Sequence, residues 1–129
     1  LSLLKKLILK NGFYSPQSSN KVKDWTHFRT VEKLNYPEKL LNENNFSSGL
    51  VGLASNHEII QDLVSEWYKN SLDKETIAPE GSSRLNHRQD QAVLTLLVNL
   101  RNLGKHTLRT HRIFGLLKHQ DDEVYKHLN

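Results

Sequence analysis

The sequence predicts an α/β fold, and three observations predict it. Residues 2–10 place Leu3, Leu4, Leu7 and Ile8 at the spacing of one helical face. Residues 46–54, FSSGLVGLA, form a short apolar run bounded by polar residues, the pattern of a buried strand. Helical periodicity then returns twice downstream. Helix and strand patterns thus alternate along one chain, which is the mark of the α/β class.

Taken in order, the first helix over 2–10 is stopped by Asn11-Gly12. The segment FYSPQSSNKVKDWTHFRT reads as a loop from its Pro, Ser and Asn content, with Tyr14, Trp25 and Phe28 inside it. A short helix around Thr30–Leu34 is broken by Tyr36-Pro37, because the residue before proline is pushed out of the helical region. The strand over 46–54 follows. Ser55 or Asn56 then caps a helix whose inward stripe is Ile59, Ile60, Leu63, Val64 and Trp67. Residues 73–85 form a long loop holding Pro79 and Gly81, and loops of that length are commonly functional. A helix over 88–102 is capped by Asn86 or a neighbour and ended by Gly104. HTLRTHRIFGLL alternates weakly as a strand does, and KHQDDEVYKHLN reads as a polar terminal helix.

Composition narrows the function classes. With no Cys, disulfides, thiolate metal sites and Cys nucleophiles are excluded. The apolar runs fall short of the roughly 20 residues a membrane span needs. The chain begins at Leu1 and contains no Met, so it is expected to be a processed product or a piece of something longer. Its net charge of +4 attracts phosphates in general, whether of nucleic acid, anionic lipid or a nucleotide. The positive residues are scattered among 14 acids rather than gathered in a block, which disfavours nucleic acid. Neither a G-x-S-x-G elbow nor a Gly-rich phosphate loop is present.

The stretch HRQDQAVLTLLV, residues 87–98, crowds polar side chains against the start of an aliphatic helix. Asp90 alone would serve the positive end of the helix dipole. An acid and an amide together, Asp90-Gln91, can also present a rigid polar pair to a ligand, with His87 and Arg88 able to meet an anion. In FSSGLVGLA, Gly49 and Gly52 permit close packing, and Ser48-Gly49 would equally let a bulky ligand approach the backbone.

The order F-S-S-G-L-V-G-L, a helix containing E-W, a loop, and R-x-D-Q-A-V-L-T-L-L resembles the C-terminal half of GT-A-type glycosyltransferases. It is similar in particular to family 8, where a strand like F-N-S-G-V precedes a helix start like D-Q-D-x-L-N. The resemblance covers roughly residues 12–100, and YSPQSS, KDWTH and PEGSSRLNHRQDQ look like a related group of sugar transferases. It implies a GT-A-like mixed sheet with flanking helices and a single segment, 1–129, on the donor-sugar and acceptor side. The nucleotide-binding half would lie elsewhere in the polypeptide, leaving this segment inactive alone. Implied partners are a nucleotide-sugar donor and a hydroxyl-bearing glycan, protein or lipid acceptor.

Carried over position by position, Ser48 and Gly49 would line the donor sugar. Asp90 would take its hydroxyls by charge-assisted hydrogen bonds, and Gln91 would lie near the anomeric carbon. In an inverting enzyme a carboxylate here would instead act as base on the acceptor. Arg84, His87 and Arg88 would neutralise the diphosphate or shape loop 73–87 as a lid. The family's DxD motif, which holds Mn²⁺ or Mg²⁺, is missing, and Asp121-Asp122 sits in the wrong place. The cation would then be held mostly by the absent half, with His119 completing its shell and His111 as the rival. No histidine pair has zinc-motif spacing.

Trp67 lies on the inward stripe and reads as core, whereas Trp25 in the loop is the candidate platform for an acceptor sugar. Two other functions fit the same residues. One is a non-catalytic carbohydrate-binding module, the other a basic helical protein that binds nucleic acid or a partner through its amphipathic helices.

Overall fold

The computed structural model describes residues 2–105 and 107, and these form a small mixed α/β domain. Its centre is a helix. In α6 (Asp90–Leu100), Ala92 through Val98 are all buried, so this helix is apolar on every side. Helices Val22–Trp25, Glu58–Ser71 and Lys74–Ile77 and the strand Asn44–Phe46 pack against it. The α4 helix (Glu58–Ser71) lays Ile60 and Leu63 against Val93, Leu94, Leu97 and Val98, with Trp67 partly buried at the same contact. Ile59 and Val64, expected on the inward stripe, are instead 41% exposed each. They flank the buried face rather than forming it. The cap also differs: His57 is the N-cap residue, one or two positions past Ser55 and Asn56.

The helix predicted at the start is present as α1 (Ser2–Asn11), and Gly12 ends it at φ +83°. The expected loop that follows is largely structured. It contains β1 (Phe13–Tyr14), β2 (Gln17–Lys21), α2 (Val22–Trp25) and the start of α3 (Phe28–Lys33). Apolar burial at long range overrode its polar composition, since Phe13 and Val22 are both fully covered. After Tyr36-Pro37 a 3₁₀ turn spans Glu38–Leu40. Tyr36 is buried and its hydroxyl donates to the Leu40 carbonyl, and burial pushes its phenol up to about 12.

The single strand expected over 46–54 is not formed. β3 (Asn44–Phe46) ends at Phe46, residues 48–49 turn, and β4 (Gly52–Leu53) is a separate strand. β3 pairs antiparallel with β2, and β4 pairs antiparallel with β1. Among the described residues these two-stranded sheets stand in place of one mixed sheet. The glycines explain the break. A Cβ on Gly52 would run into the Ile8 side chain, so α1 packs directly on the β4 backbone. The β2–β3 register slips between Gln17 and Lys21, where Asn20 takes φ +64°.

One ring contact joins the two sheets to each other, and one hydrogen bond ties them to the central helix. Phe13 and Phe46 meet edge to face with centroids 6.0 Å apart, inside the main core. The backbone N–H of Phe46 donates to Thr95 Oγ1 at 3.1 Å, so a buried helix hydroxyl satisfies a strand donor. The loop expected over 73–85 contains the short helix α5 (Lys74–Ile77), capped by Asp73. The C-terminal strand and helix read from HTLRTHRIFGLL and KHQDDEVYKHLN lie outside the described residues, apart from Thr107.

Candidate functional site

The site is built where the chain turns into α6. Residues 83–86 close on themselves: Asn86 Oδ1 accepts from the Ser83 N–H, and Asn86 Nδ2 donates to the Gly81 carbonyl. Asn86, expected as a helix cap, is spent on this turn instead. The cap position falls to Gln89, which offers no side-chain hydrogen bond and sits at φ +48°, ψ −118°. The Gln91 N–H donates to the Arg88 carbonyl at 3.0 Å. Those angles with that bond are the first corner of a type II′ turn, a place normally filled by glycine. A glutamine there costs about 1–3 kcal/mol of backbone strain, which the surrounding structure must hold in place.

His87 supplies much of that hold. It is buried, and both ring nitrogens are used. Nδ1 accepts from the His27 backbone N–H at 3.1 Å, so the ring proton sits on Nε2 and is donated to the Ile77 carbonyl at 2.9 Å. Burial lowers its pKa from 6.5, with nearby His27 adding in the same direction against the Ile77 bond. The neutral imidazole therefore locks α3, α5 and the approach to α6 together, and in this arrangement it has no ring nitrogen left for a phosphate. His27 in turn caps α3 through Nδ1 and stacks on Phe28 at 4.6 Å.

Arg88 is held next to it. Its backbone N–H donates to the Trp25 carbonyl at 3.0 Å, and its guanidinium lies 4.0 Å from the centroid of the Trp25 ring. A cation on an indole face is worth about 0.5–2 kcal/mol, depending on desolvation. Both side chains are half-buried. Trp25, the expected acceptor platform, therefore has one face covered by Arg88. Behind the pair, Trp67 Nε1 donates to the Asp90 carbonyl at 3.2 Å, anchoring the first residue of α6 to α4.

Asp90 projects from this frame as an exposed carboxylate and Gln91 as a half-buried amide. Trp25, His87, Arg88, Asp90 and Gln91 are thus tied to the same turn through backbone and ring contacts, with His87 buried beneath it. Ser48 and Gly49 lie in the turn after β3, which is tied to the middle of α6 through Thr95, and no hydrogen bond among the described residues joins them to Asp90 or Gln91. A cavity of about 200 Å³ opens instead at the other end of α6, among Gln17, Glu43, Asn44, Asn99 and Asn102. None of the expected site residues lines it. Arg84 is exposed in the preceding loop, and His111 and His119 lie outside the described residues.

Comparison with family models, with curated proteins and with solved structures finds no match to this chain. The site therefore rests on its own chemistry. Among the described residues no group of three or more His, Asp or Glu side chains is placed to hold a metal. No helix among the described residues is long and apolar enough to cross a membrane.

Sequence reasoning found the polar cluster but missed what fixes it. The Gln89 corner, the His27–His87 link and the Arg88–Trp25 stack have no local signature. Only the crowding of polar residues before an aliphatic run pointed to them.

Proposed function

We propose that this chain is the donor-sugar and acceptor side of a GT-A-like glycosyltransferase that moves a hexose from a nucleotide sugar to a hydroxyl acceptor. The observation that carries the reading is the strained corner at Gln89, clamped between buried His87 and the packed body of α6. Strain held in place by neighbours is a feature of sites whose geometry matters for binding or chemistry. Here it fixes the backbone that presents Asp90 and Gln91. The order of motifs around FSSGLVGL and RQDQAVLTLL adds the second support.

In this reading Asp90 accepts hydrogen bonds from hydroxyls of the transferred sugar, and Gln91 offers its amide dipole close to the anomeric carbon. Arg88 meets the diphosphate, and Ser48 and Gly49 leave room for the donor. The remaining polypeptide supplies the nucleotide pocket and the Mn²⁺ or Mg²⁺. The test is Asp90→Asn in the full-length protein, assayed for transfer and donor hydrolysis. A loss of about 10²-fold or more with unchanged melting temperature is expected, the scale of losing one preorganised polar group. Intact turnover would remove Asp90 from the chemistry. A wild-type protein that binds sugar without any turnover would instead make it a carbohydrate-binding module.

A further inference from the structure

The Arg88–Trp25 pair carries one step more. Arg88 is a half-buried cation, and among the described residues no carboxylate forms an ion pair with it. Its sole side-chain partner there is the indole face 4.0 Å away. Its backbone, by contrast, is pinned: the N–H donates to the Trp25 carbonyl and the carbonyl accepts from Gln91. A fixed backbone with a weakly held head group lets the guanidinium swing about its own χ angles without disturbing the turn. A planar guanidinium binds a phosphoryl oxyanion through two charge-assisted hydrogen bonds, which are stronger than its contact with a neutral ring.

The geometry points to Arg88 as a removable cover on Trp25: a phosphoryl anion draws the guanidinium away and leaves the indole face open to the apolar face of a sugar ring. The anion is the diphosphate of a nucleotide sugar or any free group of the same chemistry. The consequence for two ligands is direct. Because one ring face cannot hold both the guanidinium and a sugar, a sugar that stacks on this face must arrive after the anion-bearing ligand. The identity of the second ligand rests on the reading above, whereas the cover itself does not.

The test is made on the ¹⁵N-labelled chain, whose two tryptophans give two indole N–H signals, assigned by Trp25→Phe. On titration with inorganic pyrophosphate the Trp25 signal should move saturably. Its broadening by a soluble paramagnetic probe should rise, since the ring face under Arg88 is released. Arg88→Gln should show the higher broadening without pyrophosphate and no response to it, with the Trp67 signal at its native position reporting that α4 and α6 still pack. A nucleoside diphosphate in a parallel arm should act at lower concentration than pyrophosphate if the nucleotide source is the natural one, and equal potency assigns the site to free phosphoryl anions. A Trp25 signal indifferent to both anions, or broadening unchanged by Arg88→Gln, overturns the cover. Hexose transfer without an anion response at Trp25 sinks only this inference, and an anion response in a protein that transfers nothing sinks only the proposed reaction.

Discussion

The two ends of α6 look alike and behave differently. Each is flanked by a non-glycine residue at positive φ, Gln89 before the helix and Asn102 after it. Each is surrounded by amides. At the C-terminal end the strain is small and well used: asparagine tolerates the left-handed region, and the Leu103 N–H reaches back to the Val98 carbonyl to close the helix. The amides there are spent on one another, with Asn44 donating to Gln17, Asn99 to the Asn44 carbonyl and Gln17 to Thr107. A Cβ on Gly104 would fall into the Phe46 ring, so these two pack directly at the edge of the cavity the amides line. At the N-terminal end a glutamine occupies a glycine position, provides no cap, and leaves Arg88 and Asp90 without a charged partner among the described residues. Polar groups that satisfy each other hold a fold. Polar groups held in strain and left uncommitted are available to a ligand.

This contrast can be broken or sharpened in three ways. The largest effect is expected midway, at fully buried Leu94, which belongs to the core that supports both ends. Leu94→Ala should cost about 2–5 kcal/mol in denaturant unfolding and weaken ligand binding at the N-terminal rim as well. A loss of stability much below that range would mean that the two ends do not share one support.

Acid should act on one end alone. His87 has its pKa lowered from 6.5 in the folded state, chiefly by burial, so on acidification the unfolded chain takes up that proton first. Stability from the neutral imidazole is present above pH 6.5 and declines below it, until the folded-state pKa is passed. Melting followed from about pH 7 down to about pH 5 should show this loss, and His87→Gln should lower the melting temperature throughout while flattening its pH slope. An unchanged slope would remove His87 as the acid-sensitive lock. In the native protein, amide exchange should accelerate at residues 77–91 before it does around Asn99 and Asn102.

The smallest effect separates the corners themselves. Gln89→Gly should leave stability unchanged or raise it by up to about 1 kcal/mol, because relief of strain offsets the added chain entropy of glycine. Asn102→Gly should be nearly neutral, since asparagine is already at ease there. A clear loss of stability in Gln89→Gly would show that its side chain holds the turn, and the contrast between the ends would lapse.

What the sequence determined by itself is the three long helices and their order, whereas the short α2 and α5 fell in segments read as loops. The aliphatic spacing of α1, α4 and α6 reports local burial every three to four residues, and that period survives whatever the helices pack against. It also marked residues 87–91 as unusual. It could not settle which residues of α4 face inward, because the width of the buried arc depends on the neighbour. FSSGLVGLA misled for a related reason: its glycines read as strand residues, yet Gly52 is there so that α1 can lie on the backbone. The decisive contacts are distant ones. His27 and His87 are 60 residues apart, Phe46 and Thr95 are 49 apart, and Arg88 meets Trp25 across every element from α3 to α5. No local pattern encodes such pairs, since each exists only once the chain has collapsed around α6 and a buried donor or a lone cation takes the partner that packing leaves within reach.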